Sequence, residues 1–232
     1  MKNVFAFTAL ILFMFFGLLS KYEDRAMLRS LDFAVTTKVQ GKVDTSSHLR
    51  FADFIGNLME GATFFASPEF TVIVTLVYSA LFVYNRTSKR WNWKALVIPL
   101  ALTLIVVLEI YAKSIVHHPS PPFSMIKNPT TMFAKDYINE QFSYPSGHAA
   151  RAIFMAMLSF MAIFGLKNMK KNIRYMLLFV LMVYVLLVSI SRIYLGHHWF
   201  SDVSGGLLLG ASFGLFVMWM LVPRKYTPEK LE

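Results

Sequence analysis

The stretch from Ser191 to Asp202, SRIYLGHHWFSD, gathers an arginine, two adjacent histidines and an aspartate between two long apolar runs. Ionisable residues beside lipid-soluble sequence are costly and ordinarily face a partner or a cavity, so this stretch reads first as a functional site. His198 and Asp202 stand four residues apart, which on a helical turn puts both on one face. There the carboxylate can accept the imidazole's spare N–H, fix its tautomer and raise the basicity of the other nitrogen. A histidine oriented in this way, next to the fixed cation of Arg192, suits nucleophilic attack on phosphorus. The same residues also fit a pair of interfacial histidines with a structural ion pair, because ion-pair networks occupy such positions too.

Two further pieces bear on this choice. Tyr144-Pro145-Ser146-Gly147-His148 precedes another apolar run, and proline followed by serine marks a helix start. Glycine lets the backbone approach a ligand closely, and free N–H groups at a helix N-terminus bind anions. With a serine hydroxyl and a histidine added, the piece resembles a phosphate cradle with a proton donor; taken by itself, it reads as an ordinary helix cap with an incidental histidine. The third piece is Lys113, one turn after Glu109 and followed by His117-His118-Pro119-Ser120-Pro121-Pro122. Lys113 either snorkels to the interface, paired with Glu109 at i, i+4, or points inward as a second cation for phosphate. The prolines end the helix and turn the chain along the surface.

The elements that must position these residues are membrane helices. The chain has 232 residues, 56% of them hydrophobic, with no cysteine, so disulfides and thiolate metal sites are excluded. Mean hydropathy is +0.52, which argues against a soluble globular protein. The net charge of +10 is scattered between apolar runs and forms no dense tract, so positive loops flanking spans explain it better than nucleic acid does. Apolar runs lie at about Val4–Ser20, Phe70–Tyr84, Ala95–Val116, Ala149–Leu166, Tyr175–Leu195 and Val203–Val222. Most approach the ~20 residues needed to cross a bilayer, and the expected fold is an all-α, polytopic bundle of six transmembrane helices. Leu18-Leu19-Ser20-Lys21 is a poor cleavage site, so the first run is expected to be a retained span. Phe51–Met59 shows helical spacing and is expected to form a short interfacial helix after the first span. Gly206, Gly210 and Gly214 recur every fourth residue, a stripe for close helix packing. Residues 1–232 are expected to form a single membrane domain.

Basic residues set the expected orientation. Arg86, Lys89, Arg90 and Lys94 crowd one connection, Lys167, Lys170, Lys171 and Arg174 another, and Arg224 and Lys225 follow the last run. The positive-inside rule makes these segments, and both termini, cytoplasmic. The segments around Ser146 and His198 then face the other side, so the candidate site is extracytoplasmic.

Ser191-Arg192 followed after five residues by His198 and after three more by Asp202 resembles the third motif of the type 2 phosphatidic acid phosphatase family. Pro145-Ser146-Gly147-His148 is similar to its second motif, and Lys113 and Pro121 to the ends of its first. The resemblance covers about residues 70–222, the expected catalytic core, with the last four spans forming the site and the first two leaning on them to shape a lateral entrance. It implies that His198 attacks phosphorus to form a phosphohistidine oriented by Asp202. His148 would protonate the leaving oxygen and then activate water. Lys113, Arg192, Ser146 and the Gly147 amide would bind the phosphate oxygens. No metal and no other cofactor is implied. His197, beside His198, is expected to face elsewhere on a helix and is read as structural. The family's first motif usually ends Arg-Pro, whereas Ser120 stands at the arginine position here; His118 or Arg151 could supply the replacement charge.

The implied function is an integral membrane phosphatase of the cytoplasmic membrane, acting on a lipid phosphate or diphosphate. Undecaprenyl diphosphate, phosphatidylglycerophosphate, phosphatidic acid and a lipid A phosphate are the candidate substrates, and the expected partners are that substrate and membrane lipids, with no nucleic acid. A lipid-to-lipid phosphotransferase and a non-catalytic lipid-binding protein are the alternatives. Lys127, Lys135, Asp136 and Glu140 either shape headgroup choice or are solvated charges.

Overall fold

A computed structural model describes residues 2–44, 49–85, 90–127, 141–166 and 168–222. His48, Arg86, Lys89, Lys135, Asp136, Glu140, Lys167, Arg224 and Lys225 lie outside the described residues. Inside a bilayer no water is available to satisfy peptide groups, so each long apolar run closes its hydrogen bonds internally as a helix. Among the described residues, five helical segments are long and apolar enough to cross: α1 (Lys2–Tyr22), Trp93–Val116, α6 (Gly147–Gly165), α7 (Lys171–Tyr194) and α8 (Phe200–Leu221). Within the second of these, a 3-10 turn at Trp93–Leu96 leads into α5 (Val97–Val116).

A sixth candidate span is broken. Helices α3 (Leu49–Phe64) and α4 (Pro68–Val83) pass the same test only together, and they meet at a 49° bend. Proline supplies no N–H and cannot continue the preceding helix, yet it suits the first turn of a new one. The bend leaves carbonyls without helical partners, and side chains from neighbouring helices cap them. Tyr184 donates its hydroxyl to the Phe65 carbonyl at 2.7 Å, and Arg151 Nε donates to the Ala66 carbonyl at 3.0 Å. The Phe51–Met59 segment, expected as a separate interfacial helix, lies inside α3 and therefore belongs to this bent pair. The loop after α4 adds a two-residue antiparallel ladder, Tyr84–Asn85 with Arg90–Trp91, to an otherwise helical protein.

Helix α2 (Ala26–Asp44) has no apolar stripe to announce it. Its buried residues are Asp32, Thr36 and Gln40, at intervals of four, so its inward face is polar. That face serves the ends of other helices, which carry unsatisfied backbone groups. Asp32 accepts from the backbone N–H and the hydroxyl of Ser201 in the first turn of α8, both at 2.7 Å. Gln40 donates to the Tyr194 carbonyl at the end of α7, at 2.9 Å, and to the Met125 carbonyl at 2.6 Å.

At the centre, α8 packs between α1 and α6 around fully buried Phe154, Leu158 and Leu209. The glycine stripe is what brings α8 so near α6. A Cβ on Gly206 would strike the Ser146 carbonyl oxygen, and one on Gly210 the Ala150 carbonyl oxygen. This close approach sets the N-terminal end of α6 beside the first turn of α8, and Ser146 N donates to the Asp202 carbonyl at 2.9 Å. The segment leaving α5 joins the same end: Ser143 N donates to the His118 carbonyl at 2.9 Å and Trp199 Nε1 to the Pro119 carbonyl at 2.8 Å. Three stretches far apart in sequence thus meet at one end of the bundle.

Candidate active site

The geometry begins at the end of α7. Gly196 adopts φ of 71°, the left-handed conformation that glycine reaches without penalty. Its N–H donates to the Ile193 carbonyl at 3.1 Å, while His197 N donates back to the Arg192 carbonyl at 3.1 Å. These two bonds form a Schellman motif that reverses the chain. His198 N also donates to the Arg192 carbonyl, at 3.2 Å, so the guanidinium-bearing residue and both histidines share one turn. Arg192 is 1% exposed. Its charge sits where the negative end of the helix dipole favours a cation.

His198 and Asp202 come together, though by another route than one continuous helix. Residues 195–199 form the turn and linker between α7 and α8, so His198 precedes the helix while Asp202 occupies its first turn. The carboxylate caps α8, its Oδ2 accepting from the Trp199 backbone N–H at 2.8 Å. His198 Nδ1 lies 3.5 Å from that same oxygen. The contact is long for a hydrogen bond, as is common before substrate tightens a site. Because residue 197 is not helical, His197 does not turn away as helical spacing suggested; it lines the same cavity as His198. Burial, with Arg192 and His198 nearby, holds the His197 imidazole down at about 2, so it is neutral at pH 7.

That cavity has a volume of about 400 Å³. Lys113, Ser120, Gly147, His148, Arg151, Arg192 and His198 all line it, together with apolar Pro68, Val106 and Ile110. Ser146 does not. It is fully buried, and its hydroxyl accepts from the Ala149 N–H of its own helix at 3.5 Å, which is the helix-cap reading of that motif. Lys113 pairs with Glu109 at 3.4 Å, the i, i+4 pairing expected from sequence. Glu109 also holds Arg151 Nη1 at 3.1 Å, and its carboxylate rests where a Cβ on Gly147 would be. Arg151 Nη2 lies 3.5 Å from His148 Nδ1. A guanidinium can only donate, so this contact favours an unprotonated Nδ1 and leaves the His148 proton on Nε2.

His118 is elsewhere. It is 3% exposed and lies behind Asp202, away from the cavity, with Nδ1 at 2.8 Å from Asp202 Oδ1 and Nε2 at 3.2 Å from Glu23 Oε2. It does not line the cavity as a replacement for the arginine missing at Ser120, because both its nitrogens face carboxylates. Neither Glu23 nor Asp32 could have been found by motif, since both lie in a polar stretch whose spacing carries no hydropathy signal.

Comparisons with known proteins identify the family. The PAP2 superfamily model matches residues 94–226. Phosphatidylglycerophosphatase B of Bacillus subtilis (strain 168) is 24% identical over 201 residues, covering 86% of this chain and 87% of the relative. The crystal structure of the transmembrane PAP2 type phosphatidylglycerolphosphate phosphatase from Bacillus subtilis superposes with a TM-score of 0.70 at 24% identity, over 91% of this chain and 94% of the other. That of Aquifex aeolicus LpxE gives 0.53 at 22% identity, over 84% and 97%. The family match spans the three motif segments and four helices that carry them, and this multi-pass membrane protein belongs to the PAP2 superfamily.

Proposed function

We propose that the protein is a phosphatase of lipid phosphates or diphosphates that works through a phosphohistidine on His198, without a metal ion, on the extracytoplasmic side of the cytoplasmic membrane. The observation that carries the reading is one cavity lined by His198, which is backed by Asp202, together with His148, Arg192 and Lys113. His198 Nε2 attacks phosphorus, its Nδ1 proton held by Asp202. The P–O bond to the lipid breaks as His148, which takes up a second proton once the substrate phosphate is bound, gives its Nε2 proton to the leaving oxygen. The same histidine, now neutral, takes a proton from water, which attacks the phosphohistidine and frees inorganic phosphate and His198. Arg192, Lys113 and the Gly147 amide neutralise the charge gathering on the non-bridging oxygens, the role metal ions play in other phosphoryl-transfer sites.

The amphipathic lining supports a lipid substrate. Ile110 lines the cavity and is also 63% exposed on the outer face of α5, which gives an apolar chain a sideways route past Pro68 and Val106. Among candidate headgroups, phosphatidylglycerophosphate stands first because the relatives named for that activity match nearly the whole chain. Undecaprenyl diphosphate, phosphatidic acid and a lipid A phosphate are the others. Purified protein in detergent with excess chelator should release phosphate from phosphatidylglycerophosphate faster than from a lipid diphosphate or phosphatidic acid. Loss of release in chelator would refute metal independence, and transfer of phosphate to a second lipid would identify a phosphotransferase.

Arg151 supplies the cation that Ser120 omits. Both residues line the cavity, and Arg151 is braced by Glu109 and the Ala66 carbonyl. Arg151→Gln should lower kcat/KM by roughly 10- to 150-fold, the 1.5–3 kcal/mol of a charged hydrogen bond. Ser120→Arg should recover much of that loss in the Arg151→Gln background. Additive effects of the two changes would instead make Arg151 a pin for the α3–α4 bend.

A further inference from the structure

Asp202 is fully buried and engaged at both oxygens. Oδ2 takes the Trp199 N–H and faces His198, and Oδ1 receives His118 Nδ1 at 2.8 Å. The closer imidazole to the carboxylate is therefore His118, not His198, whose Nδ1 is 3.5 Å away. His118 is itself fixed from behind, with Nε2 at 3.2 Å from Glu23 Oε2 and 4.0 Å from Asp32 Oδ2. Asp32 is bolted to the first turn of α8 by the N–H and hydroxyl of Ser201. Glu23, Asp32 and His118 are each no more than 3% exposed.

We propose that His118 and Glu23 form a second dyad behind Asp202, continuing the catalytic pair into a buried chain His198–Asp202–His118–Glu23 that positions the nucleophile. The proposal rests on the phosphohistidine reading. Its physical content is orientation. A carboxylate held at one oxygen only can swing about its last torsion, and His198 then loses the acceptor that fixes its tautomer. Holding Oδ1 through His118 leaves Oδ2 aimed at both Trp199 N–H and His198. The cluster also needs a cation, since three buried carboxylates stand around one imidazole and an uncompensated buried charge is strongly unfavourable. Burial alone pulls the His118 imidazole down, but its hydrogen bond to Asp202 and the charges of Asp202, Glu23 and Asp32 outweigh this and raise it. Glu23 is pushed up by burial and eased down by His118, with Asp24 and Arg29 acting on it in opposite senses. Glu23 and Asp32 lie outside residues 94–226, so the segment leading from α1 into α2 adds to a catalytic pair that the family region already contains.

His118 is thus a positioning residue, and the test needs a readout that loose packing would not move. The full-length protein, His118→Ala, His118→Asn and Glu23→Gln would be purified in detergent. Phosphate release gives kcat and KM, and histidine ring 15N NMR gives the His198 tautomer. His118→Ala should lower kcat on the order of 10- to 100-fold, the range for outer-shell partners of functional histidines, with KM unmoved. His118→Asn, whose amide can still donate to Oδ1, should recover most of kcat, and Glu23→Gln should fall between. His198 should keep its proton on Nδ1 in the wild type and in His118→Asn, and become a tautomer mixture in His118→Ala. Wild-type kcat in His118→Ala, a change in KM alone, or an unchanged His198 tautomer would overturn the proposal. Should His118→Ala fail to fold, the two near-isosteric variants decide it: both matching wild type in kcat and in the His198 tautomer would overturn it. A wild type that released no phosphate would refute the phosphatase reading, while the tautomer comparison would still decide the positioning claim.

Discussion

His198→Ala should leave a folded, membrane-inserted protein with no measurable phosphate release. The reading assigns the nucleophile to His198, the imidazole whose Nδ1 lies 3.5 Å from Asp202 Oδ2. Removing a single member of a nucleophile–base unit in other hydrolases costs about 10⁴- to 10⁶-fold in kcat, and a loss of that order is expected here. Folding should survive, because Asp202 keeps the Trp199 N–H and His118 when the imidazole is gone. Retention of a single detergent-solubilised species with unchanged helical content would check that half. Trapping with a radiolabelled lipid phosphate should give an acid-labile, alkali-stable adduct in the wild type and none in His198→Ala. An adduct persisting in the variant would move the nucleophile elsewhere.

The same residue fixes the acid limb of activity. Burial pulls His198 below the ordinary imidazole value of 6.5; the Asp202 hydrogen bond opposes this, and the Arg192 charge reinforces it. In the proposed mechanism the nucleophile must be neutral, so kcat/KM should fall as pH drops through this lowered value, with the acid limb lying below 6.5. The neighbours of His198 work in opposite directions: Asp202 favours the charged imidazole, while Arg192 and Lys113 add to burial in keeping it uncharged before substrate arrives.

The reactive pairings were legible in the sequence because they rest on short spacing. His198 and Asp202, Lys113 and Glu109, and the glycine stripe on α8 each join residues a few positions apart; the last two are found as expected, and the first pair meets across a turn instead of along one helix. The spans followed from hydropathy, since a bilayer leaves long apolar runs little choice but helix. What escaped were contacts set by tertiary placement. Helix α2 buries Asp32, Thr36 and Gln40, so it shows no apolar periodicity to read. His118 stands two residues before the position of the absent arginine, and proximity in sequence made it a candidate cation. The bridge that pairs Pro119 with Phe142 instead carries it behind Asp202. His197 was assigned by helical geometry to another face, but Gly196 ends the helix before that geometry applies.

Arg192→Ala should cost roughly 10²- to 10³-fold in kcat, the 2.7–4 kcal/mol lost when one preorganised donor to a developing oxyanion is removed. The guanidinium is suited to this role because it is in place before substrate binds. It is 1% exposed, at the end of α7, and its own carbonyl holds the His197 and His198 amides. Its position relative to the nucleophile is therefore fixed by one Schellman turn. Lysine should rescue little, because an ammonium is a point charge and cannot span two phosphoryl oxygens as a planar fork does. The variant should also raise the acid limb of kcat/KM, since the charge that helps hold His198 neutral is gone. That pH shift separates loss of a charge from collapse of the turn: Gly196→Ala, which strains φ of 71° and drives a Cβ into the Met125 carbonyl, would disturb the turn while keeping the cation. An Arg192→Ala enzyme with wild-type kcat would place the main phosphate-binding charge on Lys113 and Arg151, and with it the question of why so large a cation is buried at the one turn shared with the nucleophile.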